Sequence, residues 1–169
     1  MRHLGLVCFS LFPLLGCDGA SATPGTCTPD AALDSGTAAA MVDDAAWSTT
    51  ATWNWAGESA QITAAPADGW RFSVVGQLTD GGDTVKAAAD AGGFPITVTL
   101  GESGESGGFA TVYPTDGDSY ITANAAGGSL TITEVGEDLV GCFSFSAGTD
   151  GGDTVAIADG SVRAALLDL

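Results

Sequence analysis

The sequence predicts an all-β domain, an antiparallel β-barrel or a two-sheet β-sandwich of about 8–10 short strands, preceded by a signal peptide and a disordered tether. Three observations carry this. Apolar and hydroxylated residues alternate with period two through much of the chain after Met41. The alternating runs are separated by clusters of Gly and Asp. The first forty residues lack any such period and fall into a short apolar run and a Gly/Ala/Ser/Thr/Pro-rich stretch.

The chain opens MRHLGLVCFSLFPLLGCDG, with Arg2 as a positive start and Leu4 to Leu15 as an apolar run. That run is too short for a stable membrane span and has the length of a secretory signal. Residues 18 to about 40, DGASATPGTCTPDAALDSGTAAA, have tether composition. The expected division is therefore 1–16 signal peptide, 17–40 flexible tether and 41–169 a single β-domain, long enough for one core.

Within the domain, Trp53 and Trp55 flank Asn54, and Ile62 lies between Gln61 and Thr63. Ile96, Val98 and Leu100 alternate with Thr97 and Thr99, and Leu130 and Ile132 with Thr131 and Thr133. Phe143 and Phe145 alternate with Cys142, Ser144 and Ser146; Val162, Ala164 and Leu166 alternate with Ser161, Arg163 and Ala165. Successive strand side chains point to opposite faces, so each run puts one greasy and one hydroxylated face on a half-buried strand. Phe143 and Phe145 form a presumed core pair, which turns Cys142 outward. The one helix candidate is Val85 to Ala91, short and ended by Gly92-Gly93.

The heptapeptide TDGGDTV occurs twice, at 79–85 and 149–155. Each copy follows a strand-like run, and Asp-Gly-Gly supplies residues that accept the positive φ of tight turns. The expectation is one turn used twice, with Asp83 and Asp153 bonding local amides and Thr84 and Thr154 starting the next run. The competing reading is calcium held by Asp80, Asp83, Asp150 and Asp153, but the D-G-G-D spacing lacks the helix-loop-helix calcium pattern and its distant glutamate. No metal ligand set and no cofactor site is assigned.

The chain carries 21 acidic and 4 basic residues, a formal charge of −17. Without residues 1–16 it loses Arg2 and its only histidine, His3, and keeps Arg71, Lys86 and Arg163 as its bases. A surface this acidic repels nucleic acid, so no nucleic-acid partner is expected; a protein or small-ligand partner is left unspecified. Cys27 and Cys142 would form an even pair, which reads as a disulfide in an oxidising compartment.

The segment Leu14-Leu15-Gly16-Cys17 resembles the bacterial lipobox. The resemblance implies cleavage before Cys17 and lipidation of its sulfur and new amino group, hence a palmitate-type membrane anchor on an envelope lipoprotein outside the cytoplasm. VDDAAW at 42–47 and GGSLTITEVGEDLVGCFSFSAGTDGGDTVAIADGSVRA from 127 resemble the opening and closing strands of small bacterial lipoproteins of uncharacterised function. Asp44 stands where that family has glycine, and Cys142 where it has threonine. An outward Cys142 lies where the N-terminal arm could reach it, so Cys27 is expected to staple the arm across the domain's outer face.

No catalytic residue is assigned. With no histidine after residue 16 and one lysine, Ser–His, Cys–His and histidine–metal arrangements are excluded. The acids lie in Gly-rich turns rather than in apolar settings that raise a carboxyl pKa. The domain therefore reads as a binding or structural module, with a calcium-stabilised or carbohydrate-binding surface lipoprotein as the alternative. Trp47, Trp53, Trp55 and Trp70 could form either core or a stacking platform; the core reading is preferred because large aromatics are mostly buried.

Overall fold

A computed structural model describes residues 27–66, 69–101 and 107–167. The signal peptide, the lipobox and Cys17 lie outside the described residues. The chain forms ten strands: β1 (Thr37–Val42), β2 (Ala45–Ala56), β3 (Ser59–Ala64), β4 (Arg71–Gly76), β5 (Ile96–Leu100), β6 (Gly108–Tyr113), β7 (Tyr120–Ile121), β8 (Gly127–Val135), β9 (Asp138–Gly148) and β10 (Thr154–Leu166). The helix α1 (Val85–Asp90) and a single 3₁₀ turn (Thr122–Asn124) complete the set.

The strands join into one mostly antiparallel sheet that closes into a ring, running β1–β2–β3–β4–β6–β5–β8–β9–β10 and back to β1. Closure removes the exposed edges that an open sheet would present for association. The two-residue β7 lies between β6 and β9. Inward side chains fill the ring. Phe72 of β4 reaches across to Phe143 and Phe145 of β9, with ring centroids 5.5 and 6.4 Å away. Alanines 38, 40, 51, 60, 64, 110, 147 and 164 pack around these rings, all buried. The alternation read from sequence holds in β9: Leu139, Gly141, Phe143 and Phe145 point in, Cys142, Ser144 and Ser146 point out.

One boundary differs from expectation. The sheet begins at Thr37, inside the stretch assigned to the tether, because Ala38 and Ala40 are small enough to pack inward while Ala39 faces out. Residues 27–36 are also tied down: Asp30 N donates to Ser161 Oγ, Ser35 Oγ donates to Asp138, and Gly36 N donates to Arg163 O.

The two heptapeptides are the same turn. In each, the first Thr N donates to the second Asp O (Thr79→Asp83 2.8 Å, Thr149→Asp153 2.9 Å), and the second Gly takes positive φ (Gly82 88°, Gly152 92°). Each is closed by an equivalent pair, Leu78 with Thr84 and Gly148 with Thr154. The local side-chain acceptor is not Asp83 or Asp153. It is the leading threonine, whose Oγ1 takes Gly81 N in one copy and Asp153 N in the other. The copies then diverge. Thr154 starts β10 as expected, whereas Thr84 caps α1 by accepting from Ala87 N. Lys-Ala-Ala-Ala follows Val85 and favours helix; Ala-Ile-Ala follows Val155 and keeps strand alternation.

The β1–β2 hairpin turns on Asp43 and Asp44, both at positive φ. A two-residue hairpin loop needs that conformation twice, and Asp tolerates it better than most residues. Asp43 also accepts from Ala156 N, which ties the hairpin to β10.

Candidate functional site

Cys27 and Cys142 form a disulfide across a sequence separation of 115 residues. Cys142 lies mid-strand on the outer face of β9, opposite Thr131 of β8 and Ser161 of β10. The N-terminal arm thus crosses the outer wall of the ring and is stapled to its middle, not to an end.

Near the staple, β5, β8, β9 and the start of β10 border a groove of about 470 Å³. Its walls carry the hydroxyls of Thr97, Thr99, Ser129, Ser144 and Ser146, and the carboxylate of Asp80. Its floor is Gly127-Gly128, where a Cβ on Gly128 would overlap the Ser144 carbonyl and the Phe145 backbone. Glycine there lets the strands approach closely and keeps the groove open. Asp80 is fixed in place: its Oδ1 accepts from both the Thr99 amide and hydroxyl at 3.0 Å, and its own amide donates to Thr97 O. Hydroxyls that both donate and accept suit a neutral polar ligand.

Asp80 also helps to seal a seam. β5 and β6 share only the Leu100–Gly108 bridge, so their facing backbone groups need other partners. Below the bridge, Asp80 bonds the β5 edge. Above it, the buried Thr122 hydroxyl donates to Gly101 O and accepts from Ala110 N, both at 3.1 Å. Neither role was apparent in the sequence, where Thr122 is one threonine among many.

The aspartates proposed for calcium serve different partners. Asp80 holds Thr99 on β5, and Asp150 accepts from Asn124 Nδ2 at 2.8 Å. Among the described residues no group of three or more His, Cys, Asp or Glu is placed to hold a metal ion.

Of the four tryptophans, Trp53 is core, 3% exposed. Trp47, Trp55 and Trp70 are partly buried against that core and do not form one platform. Trp47 stacks on Phe72 at 4.2 Å and donates its indole N–H to Trp70 O. Trp55 packs edge-on to Trp53 and lies under Lys86, 5.5 Å from the ring. The Lys86 ammonium is held above its ordinary pKa, chiefly by its hydrogen bond to Asp90. That lysine is engaged at the α1 end, away from the hydroxyl groove.

Comparison with protein-family models, with curated proteins and with solved structures finds no match.

Proposed function

We propose that this protein is a lipid-anchored domain of the bacterial cell envelope, displayed outside the cytoplasm as a binding or structural module. The observation that carries the reading is the Cys27–Cys142 disulfide. Stable disulfides belong to oxidising compartments, and this one fastens the segment that leads directly from the lipobox-like Leu14-Leu15-Gly16-Cys17. The resemblance of 42–47 and of the segment from 127 to small envelope lipoproteins points the same way.

A binding role rests on the hydroxyl-lined groove beside the staple. It offers hydrogen-bonding groups on a fixed sheet surface and no histidine or amine to activate them. The decisive experiment is metabolic labelling with a palmitate analogue in a bacterial host, with intact-mass analysis of the mature chain. Label on the wild type that is lost in Cys17→Ala supports the anchor; an unlabelled chain with an intact N-terminus overturns it.

A further inference from the structure

We propose that the outer face of β3, β4 and β6 carries a second binding site, in which Arg71 pairs with the carboxylate of a small ligand that has a compact apolar body. The site lies across the ring from the stapled strand β9, since Phe72 of β4 meets Phe143 of β9 through the core. It depends neither on the hydroxyl-lined groove nor on the lipid anchor.

The first observation concerns the bases. The described residues include three, Arg71, Lys86 and Arg163. Lys86 pairs with Asp90 at 2.7 Å and Arg163 with Asp138 at 2.9 Å. Arg71 makes no ion pair among the described residues, although the chain carries 21 acids. Its guanidinium instead lies over the ring of its cross-strand partner Tyr113, with Cζ 5.8 Å from the ring centre. A contact to a ring face leaves the N–H donors of the fork unused, and that fork matches the two oxygens of a carboxylate.

The second observation is the local charge. β2, β3, β4 and β6 are consecutive in the ring and contain no Asp or Glu. β8, β9 and β10, by contrast, carry Glu134, Asp138 and Asp159. Asp116 and Asp118 follow Tyr113 in the next loop, and neither pairs with Arg71. Exposed charges act over about 8 Å in physiological salt, so these two aspartates weigh against a multiply charged anion. One guanidinium in that setting suits a single negative charge, a monocarboxylate rather than a phosphate dianion.

The third observation is shape. Beside the Arg71–Tyr113 pair lies a cleft of about 180 Å³, bordered by Thr63, Ala65 and Ser73. A cavity of about 150 Å³ takes up one benzene molecule, so the cleft has room for a single ring or branched chain. Tyr113, 40% exposed, offers such a group an aromatic wall.

Benzoate is the probe. Benzamide keeps its body without the charge, and acetate keeps the charge without the body. Each is titrated at neutral pH into the isotope-labelled full chain in uncharged detergent, and the amide resonances of Arg71, Ser73 and Tyr113 are followed. The expected result is saturable benzoate binding, roughly five-fold tighter than either control, a preference of about 1 kcal/mol. Arg71→Gln is expected to abolish the preference over benzamide, and Arg71→Lys, which keeps the charge but loses the fork, to reduce it. No saturable shift at these amides, equal affinity for benzoate and benzamide, or a preference that survives Arg71→Gln overturns the proposal. Phenyl phosphate binding tighter than benzoate overturns the assignment to a carboxylate. The comparison of probes is made on the wild type, so it does not depend on the folding of a variant.

Discussion

Replacing Thr122 by valine removes one hydroxyl from a side chain 1% exposed and leaves its shape almost unchanged. That hydroxyl makes two hydrogen bonds across the β5–β6 seam, accepting from Ala110 N and donating to Gly101 O. Losing them leaves a buried amide unpaired, a desolvation penalty of about 1–3 kcal/mol, plus about 1 kcal/mol for the second bond. The added methyl recovers up to about 0.8 kcal/mol by burial. The net expectation is a loss of about 1.5–3 kcal/mol. With a urea dependence of about 2 kcal/mol per molar for a domain of this size, the unfolding midpoint falls by about 1 M. Thr122→Ser is the matched control, because it keeps both bonds, loses only the methyl and costs about 1 kcal/mol. Equilibrium urea unfolding followed by tryptophan fluorescence measures both. A valine variant as stable as the serine variant, or more so, would refute the claim that this hydroxyl stitches the ring at its weakest pairing.

Further expectations follow from the same geometry. Removing the disulfide with Cys27→Ser/Cys142→Ser frees the arm back to Gly36 in the folded state as well as in the unfolded one. The loss should then be about 2 kcal/mol in chemical denaturation, the difference between closing a loop of about 116 residues and one of about 9, rather than the full 4.7 kcal/mol or so of the unfolded-chain term. Gly160→Ala would set its Cβ 2.6 Å from the Phe143 ring, so it should cost about 1–3 kcal/mol; Gly136→Ala, with nothing within 4 Å, should stay within about 0.5 kcal/mol in the same melts. The two identical heptapeptides should respond unequally: Asp80→Ala loses two bonds to β5 and should lower the melting temperature more than Asp150→Ala, which loses one exposed bond to Asn124. In iodide quenching of single-tryptophan variants, Trp53 should be the least accessible of the four; efficient quenching of Trp53 would contradict its burial.

What the sequence could reveal depended on contrast between the two faces of a strand. β5, β8 and β9 alternate large apolar residues with Thr or Ser, and their inner and outer faces were readable, including the outward turn of Cys142 and the staple built on it. β1 gave no such signal, because TAAAMV carries alanine on both faces. β6 gave the opposite of the usual signal. Gly108, Ala110 and Val112 face the core, while Phe109 and Tyr113 face out, since the interior beside the Phe72 cluster has room only for small residues. The repeated heptapeptide was legible as a turn but not as two destinies, which are set by the residues after Val85 and Val155. The groove was the least legible. Its walls come from β5, β8 and β9, whose adjacency depends on β5 and β6 exchanging order in the ring.

The same chemistry that makes the turns also places the charge. Tight turns in a ring of short strands call for positive φ, and this chain meets that demand with Gly and with Asp43 and Asp44, while Asp159 takes it in the β10 bulge. Other aspartates beside the turns bond neighbouring backbone or side chains, as Asp80 does with Thr99 and Asp150 with Asn124. Acidity is thus concentrated where the chain reverses, and the strands between are left to hydroxyls.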